Sequence, residues 1–303
     1  MRPLVAAVVA ALVLSACGGS PAPGPGPGPG PSPGPDPVPP LPPETFVGAG
    51  DIGWCGPDGR PALTADLLDG IPGTVFTTGD NAYFNGSTTD FAECYEPFWG
   101  RHKARTRPTP GNHEYHQPGA APYFAYFGAM AGPAGRGYYD FDLAGWRIFA
   151  LNSEISAHPG SPQYTWLQDQ LAGRRTTCML AYFHTPVFGS GANGSNPHMQ
   201  AIWALLYDAG ADVILAGHNH SYERFARQDH NGRADPQRGI RQFVVGTGGA
   251  PLTAFPTVRA NSEVRNNTTW GLLKLTLRAD RYEWEFIPVA GQSFRDSGNE
   301  ICH

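Results

Sequence analysis

Five short segments of this chain carry side chains able to bind metal ions or move protons. They are Gly50-Asp51-Ile52-Gly53, Gly79-Asp80-Asn81-Ala82-Tyr83, Gly111-Asn112-His113-Glu114, the lone His184, and Gly217-His218-Asn219-His220. Carboxylate and phenolate oxygens suit a hard trivalent ion such as Fe(III). Imidazole and amide groups suit a divalent ion such as Fe, Zn or Mn. The donor set therefore has the chemistry of a two-metal site. Such a site makes a nucleophile from bound water near neutral pH and stabilises the charge of an in-line displacement.

The elements that position these groups come next. Each segment ends a short apolar run: Phe46 to Gly50, Thr74 to Gly79, Arg107 to Gly111 (weaker and Pro-punctuated), Cys178 to Phe183 and Asp212 to Gly217. Such runs read as buried strands. Helix-like stretches lie at Pro61 to Leu68, Pro162 to Leu171 and Pro197 to Ala209, each with Pro at a first-turn position that tolerates it. Two hairpins are expected, at Tyr138 to Asn152 turning on Ala144-Gly145 and at Trp270 to Val289 turning on Ala279-Asp280. The pattern predicts an α/β fold: two mixed β-sheets packed face to face and flanked by helices, a four-layer αββα sandwich. One Asp or Asn after a strand is ordinary turn chemistry. Five strands that each deliver Asp, Asn or His at the carboxyl end, where open α/β sheets build their sites, are not.

Composition divides the 303 residues into an N-terminal stretch and one folded domain. Gly18 to Glu44 holds 13 Pro and 7 Gly in 27 residues, too little apolar surface to fold. Its Pro-Gly repeat has period two, which excludes collagen. Beyond residue 44 stand 20 Lys and Arg (all but Arg2) against 24 Asp and Glu (all but Asp36 and Glu44), so nothing favours nucleic acid as a partner. Met1-Arg2 and the apolar run Leu4 to Leu14 fit a secretory signal, too short to span a bilayer. The run ends in Leu14-Ser15-Ala16-Cys17, which resembles the lipobox of bacterial lipoproteins. Residues 1-16 are then a signal peptide, with Cys17 a lipid anchor to the membrane. Residues 17-44 are a tether reaching roughly 80 Å at about 3.1 Å per residue, and residues 45-303 are the catalytic domain. The expected location is the bacterial cell envelope, on the outside of the cytoplasmic membrane or in the periplasm. The alternative is an ordinary signal peptide with Cys17 incidental. Four cysteines remain, Cys55, Cys94, Cys178 and Cys302, an even number that suggests two disulfides in one of three pairings.

The five segments, in this order, resemble the blocks of purple acid phosphatases within the calcineurin-like metallophosphoesterases. Tyr83, three after Asp80, and Gly53, two after Asp51, point to that branch. The resemblance implies the metallophosphoesterase fold and two metal ions, Fe(III) plus a divalent Fe, Zn or Mn. It places Asp51, Tyr83 and His220 on one ion, Asn112, His184 and His218 on the other, and Asp80 between them. It also implies that a metal-activated hydroxide cleaves small phosphate monoesters, with His113 contacting phosphate and protonating the leaving group. His113 has an alternative reading as an orienter of Asp80. At the level of function the alternatives are a phosphodiesterase or nucleotide hydrolase on the same site, and a non-catalytic surface metal-binding protein. Cys55 and Cys94 both follow strands at the site end, so Cys55–Cys94 and Cys178–Cys302 are the preferred bridges. Thr185 stands where many bacterial relatives have a second His, and His198 on a Gly/Ser/Asn-rich loop could reach substrate instead. Glu114 reads as a structural acceptor. His102, His116, His158, His230 and His303 carry no motif and read as surface residues.

Overall fold

The structure is a computed structural model that describes residues 8–15, 18, 19, 24, 26, 41–173 and 176–303. The chain divides into a unit ending at Pro39 and a unit from Pro40 to His303. The expected anchor Cys17 and most of the tether lie outside the described residues. Among the described residues, no helix is long and apolar enough to cross a membrane.

The strands in chain order are β1 (Glu44–Ala49), β2 (Thr74–Thr78), β3 (Thr106–Thr109), β4 (Tyr139–Leu143), β5 (Trp146–Ala150), β6 (Met179–Tyr182), β7 (Val213–Ala216), β8 (Tyr222–Phe225), β9 (Arg241–Val245), β10 (Ser262–Asn266), β11 (Gly271–Arg278), β12 (Arg281–Pro288) and β13 (Ser297–Ile301). One sheet has the order β13-β12-β11-β1-β2-β3 and the other β10-β8-β9-β7-β6-β5-β4. Both are mixed. β1, β2 and β3 run parallel, as do β5, β6, β7 and β9, while the remaining pairings, including both hairpins, are antiparallel. The five expected strands are therefore β1, β2, β3, β6 and β7. Both expected hairpins form. Ala144 and Gly145 both have positive φ, 52° and 85°, as a tight two-residue turn between twisted strands requires.

Alternation along β5, β6 and β7 separates two cores. Ile148, Leu180, Tyr182, Val213 and Leu215 face the space between the sheets. Phe149, Ala181 and Ile214 face outward, onto Leu167 of helix Pro162–Gly173 and Ile202, Trp203 and Leu206 of helix Gln200–Asp208. Aromatic pairs join the sheets: Phe46 to Tyr182, Trp146 to Tyr282 and Phe243 to Trp284, each with ring centroids 5.7 Å apart. A fully buried aromatic side chain is worth about 3–5 kcal/mol by truncation. Helix Pro61–Asp69 places Ala65 and Leu68 in the same inner cluster. The stretch expected as one helix from Pro197 divides in two. Pro197–Met199 is a tighter turn capped by the Asn196 side chain, and the α-helix proper begins at Gln200.

Both preferred disulfides are present, with Cα–Cα separations of 5.1 Å for Cys55–Cys94 and 5.4 Å for Cys178–Cys302. The second closes 124 residues, a loop whose entropy loss in the unfolded chain contributes on the order of 4–5 kcal/mol. One of the histidines read as surface residues is buried, and the side chain of another, an exposed residue, is largely covered. His102 is buried beside Asp69 and Arg105, because its helical turn packs on helix Pro61–Asp69. The His303 side chain is only 15% exposed and sits 3.0 Å from Asp212, held there as the tail returns to Cys178.

Three strands with polar sequences, β8, β10 and β13, are joined to their neighbours by charge. Arg224 binds Asp296 and Glu263, Arg227 binds Glu300, and Arg241 binds both Glu263 and Glu300. Burial alone would raise the Glu300 carboxyl. Hydrogen bonds from Arg241 and Tyr282 outweigh it and hold Glu300 at about 2. A depressed carboxyl stabilises the fold fully above its unfolded pKa and loses that contribution as pH falls through its folded one. Glu300→Gln should therefore lower stability by about 1–3 kcal/mol at pH 7. The gap to the parent should close as pH falls from about 4.5 towards 2. Denaturant melts at a series of pH values measure it, and a gap unchanged in acid would contradict the assignment.

Candidate metal centre

The five parallel strands β1, β2, β3, β6 and β7 end at one edge of the sandwich. Immediately beyond those ends stand Asp51, Asp80, Asn112, His184 and His218. Asp51, Asp80 and His218 sit at positive φ, 59°, 48° and 67°, a region non-glycine residues avoid at a cost on the order of 1–3 kcal/mol each. The sharp turns are thus made by the functional residues themselves. Of the four preceding glycines, only Gly79 has positive φ, 83°. The others serve close approach. A Cβ on Gly217 would lie 2.8 Å from both Asp51 Oδ2 and Thr78 O, and one on Gly111 would overlap Asp80. Gly246 and Gly249 likewise admit the backbone near Asn219 and Ile52.

Every expected ligand is in the cluster, and the positions of their protons give its chemistry. The Tyr83 hydroxyl lies 2.9 Å from Asp51 Oδ1, 3.0 Å from Asp80 Oδ2 and 3.1 Å from His220 Nε2. His220 Nδ1 faces the Pro251 carbonyl at 2.9 Å, so it carries the ring proton and Nε2 presents a lone pair. One phenolic proton therefore faces three acceptors. The second group is similar. His184 Nδ1 donates to Thr78 O at 2.8 Å, and its Nε2 lies 3.0 Å from Asn112 Oδ1, 3.1 Å from His218 Nδ1 and 3.2 Å from Asp80 Oδ2. Asp80 Oδ1 accepts from the backbone N–H of His113 at 2.9 Å, which leaves Oδ2 facing both groups.

Charge follows from this crowding. Burial would push the His184 imidazole down, but the Asp80 carboxylate beside it takes it up to about 10. Burial would raise Asp80, and the charge and hydrogen bond of His184 hold it well below the usual carboxylate range. Burial and the His184 charge bring His218 down to about 4. Burial pushes the Tyr83 phenol well above its ordinary value, reinforced by Asp51 and Asp80. Converging lone pairs of this kind require positive charge, either a proton on His184 or bound cations. Asp80, His184 and His218 alone bring ligand atoms within 4.8 Å of one another. The residues fit a pair of metal ions. The similar grouping of Cys178, Cys302 and Asp212 does not, because both sulfurs are used in the disulfide.

Surrounding residues hold the cluster in place. Glu114 is fully buried and accepts from Asn81 N, Ala82 N and Gly111 N at 2.8, 3.1 and 2.7 Å. It fastens the Asp80–Tyr83 loop to the Gly111–His113 loop, as its reading as a structural acceptor anticipates. Burial and the Asp80 charge raise it to about 8 against those three donors. The His113 ring packs on Tyr83 at 4.3 Å between centroids, and Nδ1 meets Phe84 O at 2.6 Å. His113 Nε2 stands 3.7 Å from Asp80 Oδ2, and the side chain is partly exposed. His198 is exposed, with Nε2 bound to Ile155 O at 2.7 Å. Sequence reading missed three features. Asn219, fully buried, holds the loop bearing Asn193 and Gly194 at 2.9 and 3.1 Å. Glu154 accepts from Ser153 and Thr185 at 2.8 and 3.1 Å, so Thr185 is tied to a carboxylate. Phe84 and Trp54 form an aromatic edge beside Tyr83. The position of Glu154 just past β5, a sixth strand ending at the same edge, was the available signal.

With the geometry in hand, likeness to known proteins can be placed on it. The calcineurin-like phosphoesterase family profile matches residues 45–222, more than half of the chain. Purple acid phosphatase 18 of Arabidopsis thaliana is 31% identical over 233 residues, covering 68% of this chain and 50% of that protein. Human acid phosphatase type 7 is 26% identical over 249 residues, covering 68% and 56%. The chain thus spans about half the length of the curated relatives it matches. Among solved structures, a purple acid phosphatase from yellow lupin seeds superposes with a TM-score of 0.74 at 20% identity, over 86% of this chain and 54% of that one. A fold of two mixed sheets, a matching family profile and the run of segments from Asp51 to His220 agree: the chain belongs to the calcineurin-like phosphoesterase family, in its purple acid phosphatase-like branch.

Proposed function

We propose that this chain is a phosphoric ester hydrolase that cleaves small phosphate monoesters at a dinuclear metal centre. The carrying observation is that Asp80 Oδ2 lies within 3.2 Å of donors in both lone-pair groups. Asp51, Tyr83 and His220 would hold a trivalent iron, Asn112, His184 and His218 would hold a divalent Fe, Zn or Mn, and Asp80 would serve both. The ions supply Lewis acidity towards phosphate and a nucleophilic water at neutral pH.

The reaction balances simply. A water oxygen bonds to phosphorus and gives up one of its two protons, the ester P–O bond breaks, and the departing alkoxide takes one proton, so that an alcohol and hydrogen phosphate leave. His113 is placed to give that proton from Nε2, because Nδ1 is committed to Phe84 O. The alternative role, orienting Asp80, belongs to its backbone N–H, which keeps its bond to Oδ1 whatever the side chain. The acceptors around Tyr83 favour its phenolate only beside a strong cation, which supports iron in that position.

The N-terminal reading extends the proposal: export, cleavage before Cys17 and lipid attachment there, with phosphate esters met outside the cytoplasm.

Hydrolysis of a panel of monoesters and diesters by the metal-loaded protein tests the activity and its preference. His113→Ala should retain two bound ions by elemental analysis yet lose about 100-fold or more in kcat; unchanged turnover would sink its role. The iron-loaded protein should show a visible tyrosinate-to-Fe(III) band that Tyr83→Phe abolishes. A band surviving that change would place the phenolate elsewhere. In a bacterial host, labelled fatty acid should be incorporated into the parent and not into Cys17→Ser, and equal labelling would contradict the anchor.

A further inference from the structure

Phe84 follows the proposed ligand Tyr83 directly, yet its ring is 45% exposed. Single exposed apolar residues need no explanation, but this one is neither isolated nor free to turn inward. Its ring meets Trp54 edge-on at 4.6 Å, and Trp54 lies 5.1 Å from Tyr83. On the other side of Tyr83 stand His113 at 4.3 Å and then His116, 4.9 Å further. Five rings thus form one continuous wall from the donor cluster to solvent.

The wall is fixed from behind. Phe84 O accepts from His113 Nδ1, Asn85 N donates to Asp90 at 3.0 Å, and Gly86 N donates to Ala82 O at 3.1 Å. The Trp54 indole N–H donates to Asp58 at 2.8 Å. Cys55, the next residue, is bonded to Cys94. Gly56 and Gly59 leave room for the indole, since a Cβ on either would collide with it. An apolar ring held outward beside a cluster that binds anions is suited to a ligand with a charged head and a planar apolar body.

Resting on the phosphohydrolase reading, we infer that Phe84, supported by Trp54, is a specificity-determining subsite for a planar aromatic leaving group. The phosphoryl head occupies the donor cluster, and the aromatic body lies along Phe84. Offset or edge-on aromatic contact, added to the apolar area covered, favours aryl over alkyl esters. His113 borders both, with Nδ1 bonded to the Phe84 carbonyl and Nε2 3.7 Å from Asp80 Oδ2.

Phenylphosphonate and methylphosphonate carry the same anionic head on an aryl and an alkyl group and resist hydrolysis. Both are titrated by calorimetry into the metal-loaded full-length protein and into Phe84→Ala and Phe84→Tyr. The parent should bind phenylphosphonate about tenfold more tightly. Phe84→Ala should bring that ratio close to one while leaving methylphosphonate affinity unchanged, and Phe84→Tyr should keep the ratio. A ratio that survives Phe84→Ala, or equal weakening of both ligands, overturns the subsite. If the parent binds neither phosphonate, the phosphate-ester reading falls and the subsite with it. A preserved ratio without turnover of any ester overturns only the hydrolase reading.

Discussion

The structure is organised around a shortage of protons. Within a few ångströms of Asp80 Oδ2, a carboxylate, a phenol, an amide and three imidazoles turn lone pairs towards one another, while their remaining ring protons are spent on Thr78 and Pro251 carbonyls. Buried acceptors without donors are among the most unfavourable arrangements a fold can contain. Here the surrounding backbone enforces that arrangement, through left-handed Asp51, Asp80 and His218 and through Glu114 clamping two loops together. Three left-handed non-glycine residues, the close glycine contacts of Gly111 and Gly217, and the buried carboxylates of Asp51, Asp80 and Glu114 meet at this one edge. The rest of the molecule is an ordinary sandwich.

Strand ends that deliver Asp, Asn and His at regular points were legible from residue types alone, because parallel strands buried on both faces read as uninterrupted apolar runs. The individual donors came from the resemblance to purple acid phosphatases, and the preferred disulfide pairing, one of three, from the strand layout. What sequence obscured was of another kind. β8, β10 and β13 carry Arg, Glu and Asn in place of an apolar alternation, and they pair through ion pairs among Arg224, Arg241, Glu263 and Glu300 that no local pattern announces. The short helical turns between Thr88 and Ala131 have no period long enough to show. The contacts of Glu154 and Asn219 did not show in sequence because they depend on loops distant along the chain, at Thr185 and Asn193.

Gly50, Gly111 and Gly217 suggest turning points, but the turning is done by their neighbours, and the glycines only allow one backbone to lie against the next donor. A side chain at Gly217 would push on Asp51, and one at Gly111 would push on Asp80. Such glycines are part of the ligand geometry without touching a ligand field themselves.

The donor cluster also straddles the interface between the sheets. Asp51, Asp80 and Asn112 follow strands of one sheet, and His184, His218 and His220 follow strands of the other. Each lone-pair group draws on both: Tyr83 and Asp51 meet His220, and Asn112 meets His184 and His218. Neither sheet can form either group alone, so the separation and shear of the two sheets set the donor spacing like the jaws of a calliper. The rings that determine that spacing, Phe46 against Tyr182 and Phe243 against Trp284, contact no donor. Core residues remote from the cluster are thereby placed to set the spacing of its donors through the spacing of the sheets.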